Sequence, residues 1–111
     1  MKILITENKR YQLAYKILDD ILDGLTREVY DDNKDKDSIF SNHQIFFRDK
    51  NDEIAMWYSE KHDRLEVNKG MWVPLKVFSF NDEELERIIF WWFKDRVRIE
   101  SDGVYLIGYY D

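Results

Sequence analysis

The segment Phe80-Asn81-Asp82-Glu83-Glu84-Leu85 constrains this chain more than any other. An Asn followed three residues later by Glu can close a capping box, in which each side chain bonds the other residue's backbone N–H. Phe80 and Leu85 stand where a hydrophobic staple would hold the entering chain. Asp82, Glu83 and Glu84 crowd the positive end of the implied helix, while Lys94 and Arg96 sit at its negative end. At 100° per residue, Leu85, Ile88, Ile89, Trp92 and Phe93 fall in one stripe that faces a core. Start, end and buried face are all written into one helix.

The other elements are placed around it. Tyr11, Ala14, Tyr15, Ile17, Leu18, Ile21 and Leu22 recur at helical spacing, with Lys9, Lys16, Asp19, Asp20 and Asp23 opposite. Thr6 offers this helix an N-cap, after Ile3 to Ile5 as a short strand or apolar lead-in. Gly24 is a natural stop, yet Leu25 and Val29 stay in phase, so continuation towards Tyr30 is equally compatible. Residues 31–37 contain no apolar member and read as an exposed loop. Residues 44–48 and 53–58 are β-prone runs around the polar turn 49–52, which signals a hairpin. Residues 64–68 alternate strictly and add a third strand, giving an antiparallel meander.

In residues 70–80, Trp72, Leu75 and Phe78 are spaced by three, and Pro74 suits a first helical turn better than a central strand. Asp102-Gly103 lies between the β-prone runs 97–100 and 104–107, a two-residue hairpin signal. The expected fold is therefore α+β. Residues 1–111 form a single small domain with an N-terminal helix, an antiparallel β-meander, a central acidic-capped helix and a C-terminal β-hairpin.

Composition excludes several classes of function. The 111 residues contain no cysteine, which removes disulfide scaffolds, thiolate zinc sites and cysteine nucleophiles. Seventeen basic against 23 acidic side chains leave a net charge of −6, which argues against direct binding to a phosphate backbone. No apolar run approaches the roughly 18 residues of a membrane span. Only three apolar residues precede the polar ones at the start, short of the roughly 7–15 of a signal peptide. The expected location is cytoplasmic.

Met1-Lys2-Ile3-Leu4-Ile5-Thr6-Glu7 resembles the opening of many short uncharacterised proteins of marine, T4-like and related tailed phages. Those proteins also tend to carry a polar-turn hairpin like residues 47–56, a Trp-led segment like 72–80, and an acidic-start helix with a Trp near its end like 81–92. The resemblance covers most of the chain as a pattern and departs at the last hairpin and the aromatic ending, 105–110. It implies a viral origin and a small accessory or virion role, in the host cytoplasm or the virion. It carries no catalytic positions.

Candidate chemistry is sparse. His43 and His62 lie at different strand ends, and neither has the spacing of a metal pair. His62 beside Asp63 could form an oriented base, but adjacent side chains on a turn seldom converge, and a solvated turn is favoured. Asp31, Asn33 and Asp35 match the first ligand positions of a calcium loop, but Lys36 stands where glycine is needed and Asn42 where glutamate belongs. The four glycines are scattered, so no phosphate cradle forms. No catalytic residue, cofactor or metal is expected.

The aromatic content is high, with four Trp, seven Tyr and seven Phe. Trp91 falls at the margin of the helix stripe and Phe90 on its polar side, while Tyr105, Tyr109 and Tyr110 exceed the needs of one sheet face. Shielding of both helix rings by the last hairpin or the Trp72 segment is the plainer reading. The functional reading is a non-enzymatic protein-interaction module, binding a protein partner or itself through Phe90, Trp91, Tyr109 and Tyr110. The alternative is an acidic mimic of nucleic acid that inhibits a host defence protein. Its carboxylates would need to line one face, whereas the acidic excess here is spread thinly along the chain.

Overall fold

The computed structural model describes residues 2–31 and 43–108. Helix α1 spans Lys2–Asp23 and strand β1 Thr26–Asp31; β2 (His43–Arg48), β3 (Ile54–Ser59) and β4 (Arg64–Asn68) follow. A short helix α2 (Lys69–Trp72) runs into a 3-10 helix (Val73–Phe78), then come helix α3 (Asp82–Val97) and strand β5 (Gly103–Ile107). The strands form one five-stranded sheet in the order β1-β2-β3-β4-β5. The α+β class, the N-terminal helix, the meander and the acidic-capped central helix are all present.

Helix α3 starts as its sequence dictates. The Asn81 side chain accepts from the Glu84 N–H at 2.8 Å, and the Glu84 carboxylate accepts from the Asn81 N–H at 3.1 Å. Its five stripe residues, Leu85, Ile88, Ile89, Trp92 and Phe93, are all buried. They share one core with Ala14 and Leu18 of α1, the inward residues Ile45, Phe47, Met56, Tyr58, Leu65 and Val67 of the sheet, and Met71 and Leu75 before α3. Helices thus cover one face of the sheet. The segment at Pro74 is helical, as the three-residue spacing implies.

Four expectations are corrected. Helix α1 begins at Lys2, so Thr6 lies inside it and is not its cap, and residues 3–5 are not a strand. No Gly or Pro interrupts 2–23, and a helix once nucleated propagates at little cost through such residues. Gly24 does end it, with the Gly24 and Leu25 N–H groups bonding back to Ile21 and Leu22. The chain then makes a strand that was not foreseen: β1 pairs antiparallel with β2, Val29 opposite Ile45. Val29 keeps its apolar phase because it lies on the helix-covered side of the sheet. The loop expected over 31–37 falls, after Asp31, outside the described residues.

The largest correction is at the C-terminal end. No hairpin joins 97–100 to 104–107; β5 pairs parallel with β4, Arg64 opposite Gly103, so the sheet is mixed. Parallel neighbours need a crossover, which α2, the 3-10 helix and α3 supply. Residues 97–100 are unavailable as a strand because α3 keeps Val97 and stops only at Arg98, whose left-handed φ of 68° makes the C-cap. Asp102-Gly103 does not turn, since Gly103 has no positive φ. Asp63 captures it instead. The Asp63 carboxylate accepts the Asp102 N–H at 3.0 Å, and its carbonyl accepts the Gly103 N–H at 3.1 Å. A Cβ at 103 would lie 2.8 Å from the end of the half-exposed Tyr105 ring, which would have to swing aside.

Candidate functional site

Packing of α1 against α3 is fixed by a polar lock at the end of a hydrophobic seam. Asp19 of α1 accepts the Trp92 indole N–H at 2.9 Å and two bonds from the Arg96 guanidinium, at 2.8 and 3.2 Å. Arg96 therefore holds the Asp19 carboxyl below the usual carboxylate range, with the Trp92 bond adding to the effect and partial burial opposing it. One turn earlier, Tyr15 donates its hydroxyl to Asp95 at 3.3 Å. Burial, and then the Asp95 charge, push the Tyr15 phenol up to about 12. Tyr15 consequently stays protonated and acts as a donor at all physiological pH values.

Beside this lock the two helices border a groove of about 360 Å³. Tyr11, Gln12 and Tyr15 form its α1 wall, and Arg87, Ile88 and Trp91 its α3 wall. Tyr11 is held from behind by a stacked contact with Phe80, ring centres 5.6 Å apart. Trp91 is 48% exposed, with Lys94 Nζ 5.0 Å above its ring. Arg87 is exposed and has no ion-pair partner among the described residues. The groove therefore presents apolar rings at its centre and hydrogen-bond donors or cations at its rim: Arg87, the Trp91 indole, the Gln12 amide and, behind Trp91, a Lys94 that also pairs with Glu100 at 3.7 Å.

The residues singled out in the sequence fare differently. Phe90 and Trp91 touch edge to face at 5.3 Å, but they open on different sides of α3. Trp91 faces α1 across the groove. Phe90 is half-buried near the start of β5, in shallow hollows shared with Asp63, Glu100, Ser101, Asp102 and, on the other side, Glu83, Glu86 and Val104. Phe90 is thus less outward-facing than its helix position implies, because the β5 approach folds over it. Tyr109 and Tyr110 lie outside the described residues.

Of the histidines, His62 is exposed on the β3–β4 turn, and the Asp63 beside it is bonded to the Asp102 backbone. No cluster of metal-ligating side chains occurs among the described residues, and most of the degenerate calcium loop lies outside them. No helix among them is long and apolar enough to cross a membrane.

Tyr11, Tyr15 and Arg87 were missed as site residues. Both tyrosines were read as part of the α1 core stripe, and they are partly buried against that core. The available signal was their chemistry: two tyrosines at i and i+4 on the rim of a stripe whose centre is Ala14 and Leu18. Rim aromatics are amphipathic and fit a surface that is wet on one side.

No family model matches the chain, nor does any curated protein or solved structure.

Proposed function

We propose that the protein is a non-enzymatic interaction module whose docking site is the groove between α1 and α3. The observation that carries this reading is the half-exposed Trp91, held over a preformed apolar groove beside an Arg87 with no ion-pair partner among the described residues. Such a rim selects a partner with the opposite chemistry: an apolar or aromatic side chain that enters between Tyr11, Tyr15 and Trp91, followed by a carboxylate. Interface hot spots are typically Trp, Tyr and Arg in a pocket of this kind. Asp19 is engaged by Arg96 and Asp95 by Tyr15, while Glu83 and Glu86, which share a hollow with Arg87, form no ion pair with it among the described residues. Asp63, tied to the β5 entrance, supports the non-enzymatic part of the reading.

The test is selection from a displayed peptide library on the purified protein. Enriched peptides should pair an aromatic or large aliphatic residue with a neighbouring Asp or Glu. Trp91→Ala should weaken the best of them by about 2 kcal/mol or more, and Arg87→Glu should reverse the preference for acidic flanks. Both changes should leave the unfolding midpoint almost unmoved, because neither side chain is buried. Selected peptides whose affinity survives both substitutions would remove the groove as the docking site.

A further inference from the structure

Strand β1 is attached to the described molecule through β2 and little else. Thr26 to Tyr30 are all exposed, and Val29 and Tyr30 keep about half of their surface, 52% and 50%. Its outer edge has no neighbour in the sheet among the described residues. Proteins usually blunt such an edge with charged side chains, Lys above all, with Pro or with a bulge, since its free N–H and C=O groups template another strand. Thr26–Asp31 contains no Lys and no Pro, and its pairing with β2 runs without a register shift. Its charges, Arg27, Glu28 and Asp31, are of both signs, so they repel a strand only where the charge order does not match. It carries Thr, Val and Tyr, residues that favour strands, and Val29 and Tyr30 stay half exposed on it.

The charge sequence of β1 makes it complementary to itself in one register. Two copies of a strand can pair antiparallel about a two-fold axis perpendicular to the sheet, and opposed residues then share a face. A pairing centred on Arg27 sets Arg27 against Arg27, and one centred on Glu28 sets Glu28 against Glu28. Like charges directly opposite each other are destabilising. Centring on Tyr30 leaves only residues 29–31 opposed within the strand and puts Glu28 against the next residue, Asp32. Centring on Val29 opposes all of 27–31: Val29 meets Val29, Glu28 meets Tyr30, and Arg27 stands opposite Asp31. That register alone combines a five-residue overlap, an apolar centre and opposite charges at both ends.

We propose that the protein self-associates through β1, in an antiparallel two-fold pairing centred on Val29 that continues the sheet of one copy into the other. The contact lies on a different element from the α1–α3 groove, so it stands or falls independently of the docking site there.

The absence of cysteine from the chain gives a direct test, because each introduced thiol is then the sole one. In the proposed register, position 29 faces itself at a Cα separation of about 4.5–5.5 Å, within reach of a disulfide. Position 27 is displaced from its own copy by four residues, roughly 13 Å along the strand, and is out of reach. Mild oxidation should therefore link Val29→Cys into a covalent dimer roughly tenfold faster than Arg27→Cys. Sedimentation of the unaltered protein from about 1 to 200 µM should show a reversible monomer–dimer equilibrium. Val29→Lys should shift it to monomer with its circular dichroism and unfolding midpoint retained. The cross-linking comparison stands even if Val29→Lys disturbs the strand. A monomer at every concentration would leave the edge to a strand of another protein and overturn the proposal. Equal cross-linking at 27 and 29, or a dimer indifferent to a folded Val29→Lys, would place self-association on another surface and overturn it too.

Discussion

Helix α3 and strand β1 are held by opposite means. Helix α3 has a capping box at one end, a left-handed cap at the other, and a buried face that meets α1 and the sheet. Strand β1 has a backbone ladder to one neighbour, an Arg48–Glu28 ion pair at 3.1 Å, and an Arg27 guanidinium 6.0 Å from the Phe47 ring. The ion pair is largely solvent-exposed, and the exposed Arg27 guanidinium only caps the buried Phe47 ring from outside at the limit of cation–π distance, so both are worth little. The difference teaches where stability and recognition divide in a small domain: the element that organises the core has spent its side chains inward, and the element that contributes nothing to the core keeps its own for something else. The groove at Trp91 shows the same division within α3. Its buried residues secure the fold, and the one large ring left out faces an open groove.

The comparison is broken most directly at Trp92, which is fully buried and gives its indole N–H to Asp19. Trp92→Ala should cost about 3–5 kcal/mol in denaturant unfolding, from lost burial, the cavity and the lost bond. A loss near 1 kcal/mol would mean that α3 is no better anchored than β1.

How much of this was legible in the sequence follows the same divide. Every buried residue of α3 could be read in advance, because the capping pair, the terminal charges and the apolar period all pointed to one helix. The meander was equally plain, since residues 44–48, 53–58 and 64–68 are separated by polar turns. Strand β1 was not legible. Its six residues hold one face with a single Val, and their alternation is weaker than the helical phase that Leu25 and Val29 continue from α1. Residues 97–107 misled for a different reason. Asp102-Gly103 is a good local turn signal, but Asp63, far away in sequence, outbids it with two bonds to the same backbone. Long-range capture of this sort leaves no local pattern. At the groove, Trp91 could be read from its angle on α3, whereas its facing wall depends on how α1 crosses α3, and no spacing within either helix encodes that.

A smaller effect is expected at Asp19. Asp19→Ala leaves the buried Trp92 indole without an acceptor and should cost about 1–3 kcal/mol. Asp19→Asn retains an amide oxygen for the indole and loses mainly the half-exposed pairing with Arg96, so about 0–1 kcal/mol is expected. The pH dependence has a definite sign. Because Arg96 and Trp92 depress the Asp19 carboxyl in the folded state, its contribution is present above the unfolded value of about 3.9 and is lost as pH falls through the lower folded value. The stability difference between the unaltered protein and Asp19→Asn should therefore be flat from about pH 5 to 8 and shrink below about pH 4. Urea midpoints for both proteins across that range check it, and a difference that grew towards low pH would remove Arg96 as the cause.

The smallest expected effect sharpens the other half of the comparison. Val29→Thr keeps a β-branched side chain of similar shape on a strand, and Val29 retains 52% of its surface. In dilute protein, where only the isolated chain unfolds, the change should fall within about 0.5 kcal/mol of zero. A loss of 2 kcal/mol or more there would show that β1 is part of the core, and the contrast with α3 would fail. Raising the protein concentration turns the same substitution into a probe of the edge. Association favours the folded state by mass action, so the unaltered protein should gain in melting temperature with concentration. Val29→Thr places a hydroxyl at the centre of the proposed pairing and should gain less. A silent substitution in dilute solution that becomes visible in concentrated solution is the signature of a side chain kept for another molecule, because a purely intramolecular contact has no way to depend on concentration.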